Sequence, residues 1–240
     1  MIGVVIPAHD EAGHIAAAVR SVFAAAADPA LRGEAVELVV VLDDCADATG
    51  PIARGLGART LAVARRNVGA ARAAGAQALL ERGARWLGFT DADTRVSEGW
   101  LASQLALGAD CVCGVVSVDD WSPHGAQAGF LERHFARTYH PRDGHRHIHG
   151  ANLGVSAAAY NRAGGFQPLA CGEDVALVHA LRATGAVIAW SAAPRVVTSA
   201  RLDARARGGF GDTLLGVIDA ATHTLGEAIA SCPAQTATGP

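Results

Sequence analysis

Short apolar runs alternate with longer, alanine-rich stretches along the first 90 residues. Apolar runs at 2–7, 37–42, 59–64 and 86–90 predict strands, and the stretches at 12–27, 49–56 and 67–82 predict helices between them. Strands that alternate with helices favour a parallel sheet with right-handed crossovers. The first part of the chain is therefore predicted to be an α/β layer structure.

The pattern is less regular after residue 95. It predicts helices at 97–107, 125–138, 157–164 and 173–184, and strands at 110–118, 152–156, 186–190 and 195–199. A terminal helix is predicted at 208–230 and a flexible tail at 232–240. Because no repeat or linker interrupts the chain, we expect one α/β domain over residues 1–231, with a mainly parallel, twisted sheet flanked by helices.

Composition narrows the class of protein. The chain has 240 residues, half of them apolar, which suits one large domain. A net charge of −3 without a long basic run argues against nucleic acid as a partner. No apolar stretch approaches the roughly 20 residues of a membrane helix, and no basic segment resembling a signal peptide begins the chain. Five scattered cysteines favour a reduced, cytoplasmic protein.

Acidic residues follow three of the first four predicted strands. The carboxyl ends of parallel strands meet at one edge of a sheet, where ligands bind. Carboxylates gathered there repel one another unless a cation or hydrogen-bond donors compensate them, and hard oxygen ligands suit a Mg²⁺ or Mn²⁺ ion that also holds a phosphate. Turn formation or helix capping explains one or two of these positions, but poorly all three. The acids are Asp10, Glu11, Asp43, Asp44, Asp91 and Asp93.

Two common phosphate-binding motifs are missing from the chain. Neither a P-loop nor a G-x-G-x-x-G sequence after the first strand is present. A simple dinucleotide-binding or kinase-type protein is therefore not predicted.

Five sequence blocks, in order over about residues 2–190, resemble the inverting glycosyltransferases of family 2. They read V-V-I-P-A-H-D-E, V-V-V-L-D-D-C-A-D-A-T, R-N-V-G-A-A-R-A-A-G, F-T-D-A-D-T and G-E-D-V-A-L. The resemblance implies a GT-A fold, with a Rossmann-like, nucleotide-sugar-binding half at about 1–95 and an acceptor and catalytic half at about 96–231. It also implies transfer of a sugar, with inversion, from a UDP- or GDP-linked donor to an unknown acceptor hydroxyl.

The resemblance also implies roles for the matched residues around the nucleotide. Asp43 would recognise the uracil or guanine ring, and Asp44 would support its loop. Arg72 would contact the nucleotide directly. The residues that would line the nucleotide are Pro7, Ala8, Glu11, Asn67, Gly69 and Arg72.

The motif Asp91-Ala92-Asp93 matches the D-x-D motif of the family. The match implies that Asp93 is the direct ligand of a Mn²⁺ or Mg²⁺ ion bridging the two phosphates, while Asp91 lies beside it, facing the ribose and sugar. Asp174, next to Glu173, matches the catalytic base that deprotonates the acceptor hydroxyl. Alternatively, Glu173 and Asp174 are acids that the helix dipole favours in a first turn.

Three histidines stand at alternate positions, His145, His147 and His149. On a strand they would share one face and could bind zinc. In a loop they would supply hydrogen bonds to the acceptor or the donor sugar. We favour the second interpretation, with His149 and Asn152 as the contact residues and acceptor choice lying within 121–150.

The chain departs from the family where many relatives carry a further metal-binding histidine. Residues 196–201 contain none, but Arg201, Arg205 and Arg207 stand there or soon after. Arginine suits diphosphate recognition, so we expect Arg201 and Arg205 to help hold the diphosphate. An exposed basic turn is the alternative.

Two other classes of function compete with sugar transfer. A nucleotidyltransferase of similar fold would need a glycine- and arginine-rich loop after the first strand, and residues 9–13 do not supply one. A non-catalytic sugar-nucleotide-binding domain is disfavoured because Asp93 and Asp174 are both present. Whether the chain forms a homodimer is left open.

Overall fold

The computed structural model describes residues 1–202 and Gly216, so the predicted helix at 208–230 and the tail at 232–240 lie outside the described residues. The first four strands are β1 (Ile2–Ala8), β2 (Val36–Asp43), β3 (Arg59–Val63) and β4 (Trp86–Phe89). Helices α1 (Ile15–Ala26), α2 (Thr49–Gly55) and α3 (Val68–Leu80) connect them. These strands are parallel and lie in the order β3-β2-β1-β4, which confirms the predicted parallel layer.

The second half of the described chain adds four strands to the same sheet. They are β5 (Thr94–Val96), β6 (Cys111–Ser117), β7 (Leu153–Ser156) and β8 (Ile188–Thr198). The helices are α4 (Trp100–Ala106), α5 (Ala128–Thr138), α6 (Ala157–Arg162) and α7 (Glu173–Ala183), with short 3-10 helices at Pro29–Leu31 and Ser122–Gln127. The full order is β3-β2-β1-β4-β7-β6-β8-β5.

Antiparallel pairing enters the sheet at β7. This strand pairs antiparallel with β4 and β6, and β5 pairs antiparallel with β8, so four of the seven described pairs are parallel. The sequence pattern missed β5, which has only three residues. It also predicted two strands where β8 is continuous, because Ser191-Ala192-Ala193-Pro194 separates the two apolar runs.

The core consists of two apolar layers, one on each face of the sheet. Val4 and Ile6 point into the layer covered by α1, whereas Val5 points into the layer covered by α3. Cys111 and Cys113 of β6 also face this second layer. Small residues permit close packing: a Cβ atom added at Gly75 would lie 2.6 Å from Val5 Cγ1.

The helices of the described part of the chain are short. None of those within residues 1–202 combines the length and the apolar composition that crossing a bilayer requires.

Candidate active site

The D-A-D motif forms a tight turn between β4 and β5. The backbone N–H of Thr90 bonds to the Val5 carbonyl at 3.2 Å, and the N–H of Thr94 bonds back to the Asp91 carbonyl at 3.2 Å. Ala92 is buried, Asp91 is partly exposed, and the Asp93 side chain is 12% exposed. The turn therefore holds two carboxylates at the carboxyl end of a central strand.

A buried arginine joins this turn to α7. Arg72 is 4% exposed; its Nη2 donates to Asp91 Oδ1 at 2.5 Å and its Nη1 donates to Glu173 Oε1. Its guanidinium also lies 5.7 Å from the centre of the Phe166 ring. Burial disfavours the charged guanidinium, but Asp91 and Glu173 outweigh this and raise the pKa of Arg72. Arg72 thus links two acids of the site, and its direct nucleotide contact stays a prediction.

Glu173 and Asp174, in the first turn of α7, have different surroundings. Glu173 is 5% exposed, and burial raises the pKa of its carboxyl although Arg72 opposes this. Asp174 accepts from the N–H of Gly150 at 2.7 Å through Oδ2 and from that of Val175 at 2.8 Å through Oδ1. A Cβ atom at Gly150 would lie 2.4 Å from Arg72 Nη2, so a larger residue there would displace the Arg72 guanidinium.

A second arginine links Glu11 to Asp93. Arg201 forms a bidentate pair with Glu11 at 2.7 and 2.8 Å, and its Nε lies 3.2 Å from Asp93 Oδ2. Burial raises the pKa of Asp93 to about 6; Asp91 and Glu11 add to the shift and Arg201 opposes it. Arginine thus stands beside the D-A-D motif where a histidine was expected. Arg205 and Arg207 lie outside the described residues.

The acids of β2 stabilise a neighbouring loop. Asp43 is buried and accepts three backbone N–H groups, from Arg65, Arg66 and Asn67, at 2.7, 2.9 and 2.8 Å. Asp44 is exposed and pairs with Arg66 Nε at 2.5 Å. Both acids therefore contact this loop, Asp44 through the Arg66 side chain and Asp43 through three backbone N–H groups.

Asp10 behaves in a similar way, because its Oδ1 accepts from the N–H groups of Ala46 and Asp47 at 2.7 and 3.2 Å. The predicted convergence of strand-end acids thus holds for Glu11, Asp91 and Asp93, which influence one another electrostatically.

The first turn of α3 packs against the segment before α7. Asn67 caps the helix by accepting from the N–H of Ala70 at 2.8 Å, and its Nδ2 donates to the Leu169 carbonyl at 2.8 Å. A Cβ atom at Gly69 would lie 2.3 Å from the Gln167 carbonyl oxygen. The third sequence block therefore positions the approach to α7.

Pro7 and Ala8 are buried at the end of β1, where they pair with Val41 and Leu42 of β2. The Ala8 carbonyl accepts from the Cys45 thiol at 3.2 Å. Pro7 and Ala8 therefore lie at the carboxyl end of β1, the edge of the sheet where the first sequence block is expected to line the nucleotide.

Asn152 has a structural role in place of the expected acceptor contact. It is completely buried; its Oδ1 accepts from Trp100 Nε1 at 2.8 Å, and its Nδ2 donates to the carbonyls of Val115 and Pro194 at 2.8 and 2.9 Å. With these bonds made and no exposed surface, the side chain holds β6, β8 and α4 together.

The three alternate histidines lie in a loop, so the strand required by the zinc interpretation is absent from this described segment. Their rings stack instead, with centroids 5.3 Å apart for His145 and His147 and 6.1 Å apart for His147 and His149. Within residues 1–202, no three His, Cys, Asp or Glu side chains are grouped to hold a metal ion.

Tyr139 is a neighbour of the site that the sequence did not indicate. It follows α5; its hydroxyl oxygen accepts from the N–H of Val116 at 2.9 Å and lies 3.1 Å from His149 Nε2. Burial raises the pKa of Tyr139 to about 12 and lowers that of His149 to about 4. No motif surrounds Tyr139, so only the fold reveals this contact.

Several solved structures share the fold of this chain at low sequence identity. Staphylococcus aureus TarS 1–349, in complex with UDP-GlcNAc, is 14% identical with a TM-score of 0.61, over 87% of this chain and 61% of that one. The mannosyltransferase PcManGT from Pyrobaculum calidifontis, with GDP-Man and Mn²⁺, is 18% identical with a TM-score of 0.58, over 86% and 58%. The chain thus spans about 60% of these two relatives.

A third structure is glucosyl-3-phosphoglycerate synthase from Mycobacterium tuberculosis, in complex with Mn²⁺, UDP and glucosyl-3-phosphoglycerate. It is 20% identical with a TM-score of 0.57, over 85% of this chain and 72% of that one. At these identities the likeness establishes the fold, which is that of GT-A glycosyltransferases.

No curated protein sequence matches the chain. The sequence profile described as Glycosyl transferase family 2 matches residues 3–162, about two thirds of the chain. This match includes four of the five sequence blocks, and the fifth, at α7, follows in the same fold. The chain therefore belongs to glycosyl transferase family 2.

Proposed function

We propose that this protein transfers a sugar from a UDP- or GDP-linked donor to an acceptor hydroxyl, with inversion, using a divalent cation and Asp174 as general base. The observation that carries the proposal is the bridge formed by Arg72 between Asp91 and Glu173. One buried guanidinium thereby joins the D-A-D turn to the first turn of α7. Donor-binding and proton-accepting groups would then belong to one site.

The charge of the site suits a Mg²⁺ or Mn²⁺ ion. Among the described contacts, only two guanidiniums, those of Arg72 and Arg201, interact with five carboxylates of the site. The carboxylates are those of Glu11, Asp91, Asp93, Glu173 and Asp174. Mg²⁺ commonly uses one or two carboxylates together with substrate phosphates, so a three-residue protein cluster is not needed. Asp93 would hold the ion with Asp91 beside it, and the bound ion would stabilise charge on the departing nucleoside diphosphate.

The contacts of Asp174 support its proposed role as the base. Each of its oxygens accepts one backbone N–H, which fixes the carboxylate while leaving a further lone pair on each oxygen for the acceptor's hydroxyl proton. An alcohol is a weak nucleophile near neutral pH, so removal of this proton during attack promotes the reaction. Attack opposite the leaving diphosphate would invert the anomeric carbon.

Arg201 would contribute positive charge on the diphosphate side. Its pairs with Glu11 and Asp93 hold the guanidinium beside the carboxylate proposed to bind the ion. Guanidinium matches phosphate oxygens well. The same role is proposed for Arg205.

Calorimetry with UDP and with GDP, each with and without Mn²⁺, tests the proposal. We expect nucleotide binding that depends on Mn²⁺ and is lost in Asp93→Asn. The control Asp119→Asn alters an exposed ion pair with Arg95 and should bind normally. Absence of nucleotide binding under every metal condition would contradict the proposal.

Hydrolysis of common sugar nucleotides separates a transferase from a non-catalytic binding domain. We expect slow hydrolysis of one donor, with the inverted anomer as the first sugar product by NMR. Binding without hydrolysis, or release of the retained anomer, would contradict the catalytic part of the proposal.

A further inference from the structure

Tyr139 determines which nitrogen of His149 carries its proton. The tyrosine oxygen accepts the N–H of Val116 at 2.9 Å, and the same oxygen lies 3.1 Å from His149 Nε2. If the tyrosine O–H donates to Nε2, every hydrogen in this group is bonded. The opposite arrangement would direct an N–H at the tyrosine oxygen and leave the tyrosine hydrogen without an acceptor among the described contacts.

The neutral His149 ring therefore carries its hydrogen on Nδ1. This atom has no hydrogen-bond partner in the described part of the chain, and it is not among the buried polar atoms that lack one. His149 is half-buried, so part of its side chain is open to solvent. The ring offers a single N–H donor whose position is fixed from behind by Tyr139.

The His149 imidazole lies near the proposed base. The residue after His149, Gly150, donates its backbone N–H to Asp174 Oδ2 at 2.7 Å, and the Asp174 carboxylate acts electrostatically on the imidazole. A substrate hydroxyl that reaches Asp174 therefore passes close to His149.

We propose that His149 donates its Nδ1–H to a second oxygen of the acceptor, next to the hydroxyl that Asp174 deprotonates. The acceptor class is then a vicinal diol or a hydroxy acid, as in a sugar or a polyol derivative. Tyr139 acts through His149 as a positioning residue. This inference rests on the proposed function and adds the chemistry of its acceptor.

The surroundings keep His149 uncharged at neutral pH. Burial is the largest effect and lowers its pKa to about 4, the neighbouring His147 and His145 lower it further, and Asp174 and Asp91 oppose the shift. A neutral donor binds an acceptor oxygen without requiring an anionic substrate, and it does not neutralise the Asp174 base. The stacked His147 ring, 6.1 Å away, helps to fix the plane of the imidazole.

Side-chain replacements distinguish the two ring nitrogens. The amide nitrogen of Asn in His149→Asn lies about as far from Cβ as Nδ1 of histidine does. The amide nitrogen of Gln in His149→Gln lies about as far from Cβ as Nε2 does. With the donor found by hydrolysis, transfer is measured to glycerol, a vicinal polyol, and to 1-propanol. We expect His149→Ala and His149→Gln to lower transfer to glycerol about tenfold, the value of one hydrogen bond to a substrate oxygen, and His149→Asn to retain most of it.

In His149→Ala and His149→Gln, the preference for glycerol over 1-propanol should fall together with the rate of transfer to glycerol. His179→Asn and His179→Gln, on the exposed face of α7, are the matched controls and should change neither quantity. Equal rates for the Asn, Gln and Ala variants, transfer to neither alcohol, or the absence of a preference for glycerol would overturn the assignment.

Nitrogen-15 NMR of the unaltered protein tests the tautomer without any turnover. We expect His149 to be neutral at pH 7 with its proton on Nδ1, and Tyr139→Phe to produce a mixture of tautomers. A proton on Nε2 in the unaltered protein would overturn the inference. A His149 variant that loses the glycerol preference but keeps Mn²⁺-dependent UDP binding and donor hydrolysis reports on the acceptor contact alone. If the unaltered protein shows neither UDP binding nor donor hydrolysis, the proposed function itself is contradicted.

Discussion

Arg72 and Glu173 form a buried ion pair in which Nη1 donates to Oε1, and both side chains are almost inaccessible to solvent. Removing one member of such a pair leaves an uncompensated buried charge, which costs about 3–5 kcal/mol. We therefore expect Arg72→Met to lower the free energy of unfolding by this amount, measured by urea denaturation.

Arg82→Met is the matched control, because Arg82 pairs with Glu37 at 2.7 Å at the surface. An exposed pair contributes about 1 kcal/mol or less. Similar losses for the two variants would show that the Arg72 bridge is not a stabilising element.

Asp174→Asn should separate catalysis from binding. Loss of a general base lowers kcat by about 10²- to 10⁴-fold, while UDP affinity should stay unchanged because the D-A-D turn is intact. Steady-state kinetics and calorimetry on one preparation provide both values. A variant that retains normal kcat would exclude Asp174 as the base, and Glu173→Gln, which alters the buried pair, should reduce stability as well as turnover.

Arg201→Ala should weaken UDP binding by about 10- to 150-fold in the presence of Mn²⁺, since a charged hydrogen bond to phosphate is worth about 1.5–3 kcal/mol. Arg195→Ala removes an exposed arginine whose Nε donates to the Ala192 carbonyl, and it should leave UDP binding unaltered. Unchanged affinity in Arg201→Ala would remove the proposed diphosphate contact.

Gly69→Ala should destabilise the approach to α7. The added methyl group would lie 2.3 Å from the Gln167 carbonyl oxygen, and overpacking of this kind costs about 1–3 kcal/mol. Gly55→Ala, also in a helix, meets no atom within 4 Å and should be neutral or slightly stabilising. Thermal unfolding of both variants tests the difference, and equal melting temperatures would contradict the close approach.

Acid should destabilise the protein partly through His149. Its folded-state pKa of about 4 is below the ordinary histidine value of 6.5, so the unfolded chain binds more protons between these values and stability falls as the pH falls through that window. From pH 7.5 to 5 this group alone should cost about 2 kcal/mol. His149→Asn should lose that much less stability than the unaltered protein over this range, measured by urea denaturation, and identical pH dependence would contradict the shift.

Local pattern was sufficient to predict most of the fold. Buried parallel strands such as β1 and β2 appear as continuous apolar runs because both of their faces are covered, and α3 follows a good N-cap at Asn67. The three-residue β5 has too few positions to show a period. The register shift between β8 and β6 depends on both strands, which the sequence of a single strand cannot report.

The sequence alone determined the family, the α/β order and the identity of the acids, because strand periodicity and ordered short motifs are local properties of the chain. Only the tertiary structure decided what each polar group does. It engages Asp43 with backbone N–H groups, buries Asn152 among three elements, and brings Tyr139 to His149. Hydrogen bonds and ion pairs join residues distant in sequence, so their partners depend on packing that no local pattern encodes.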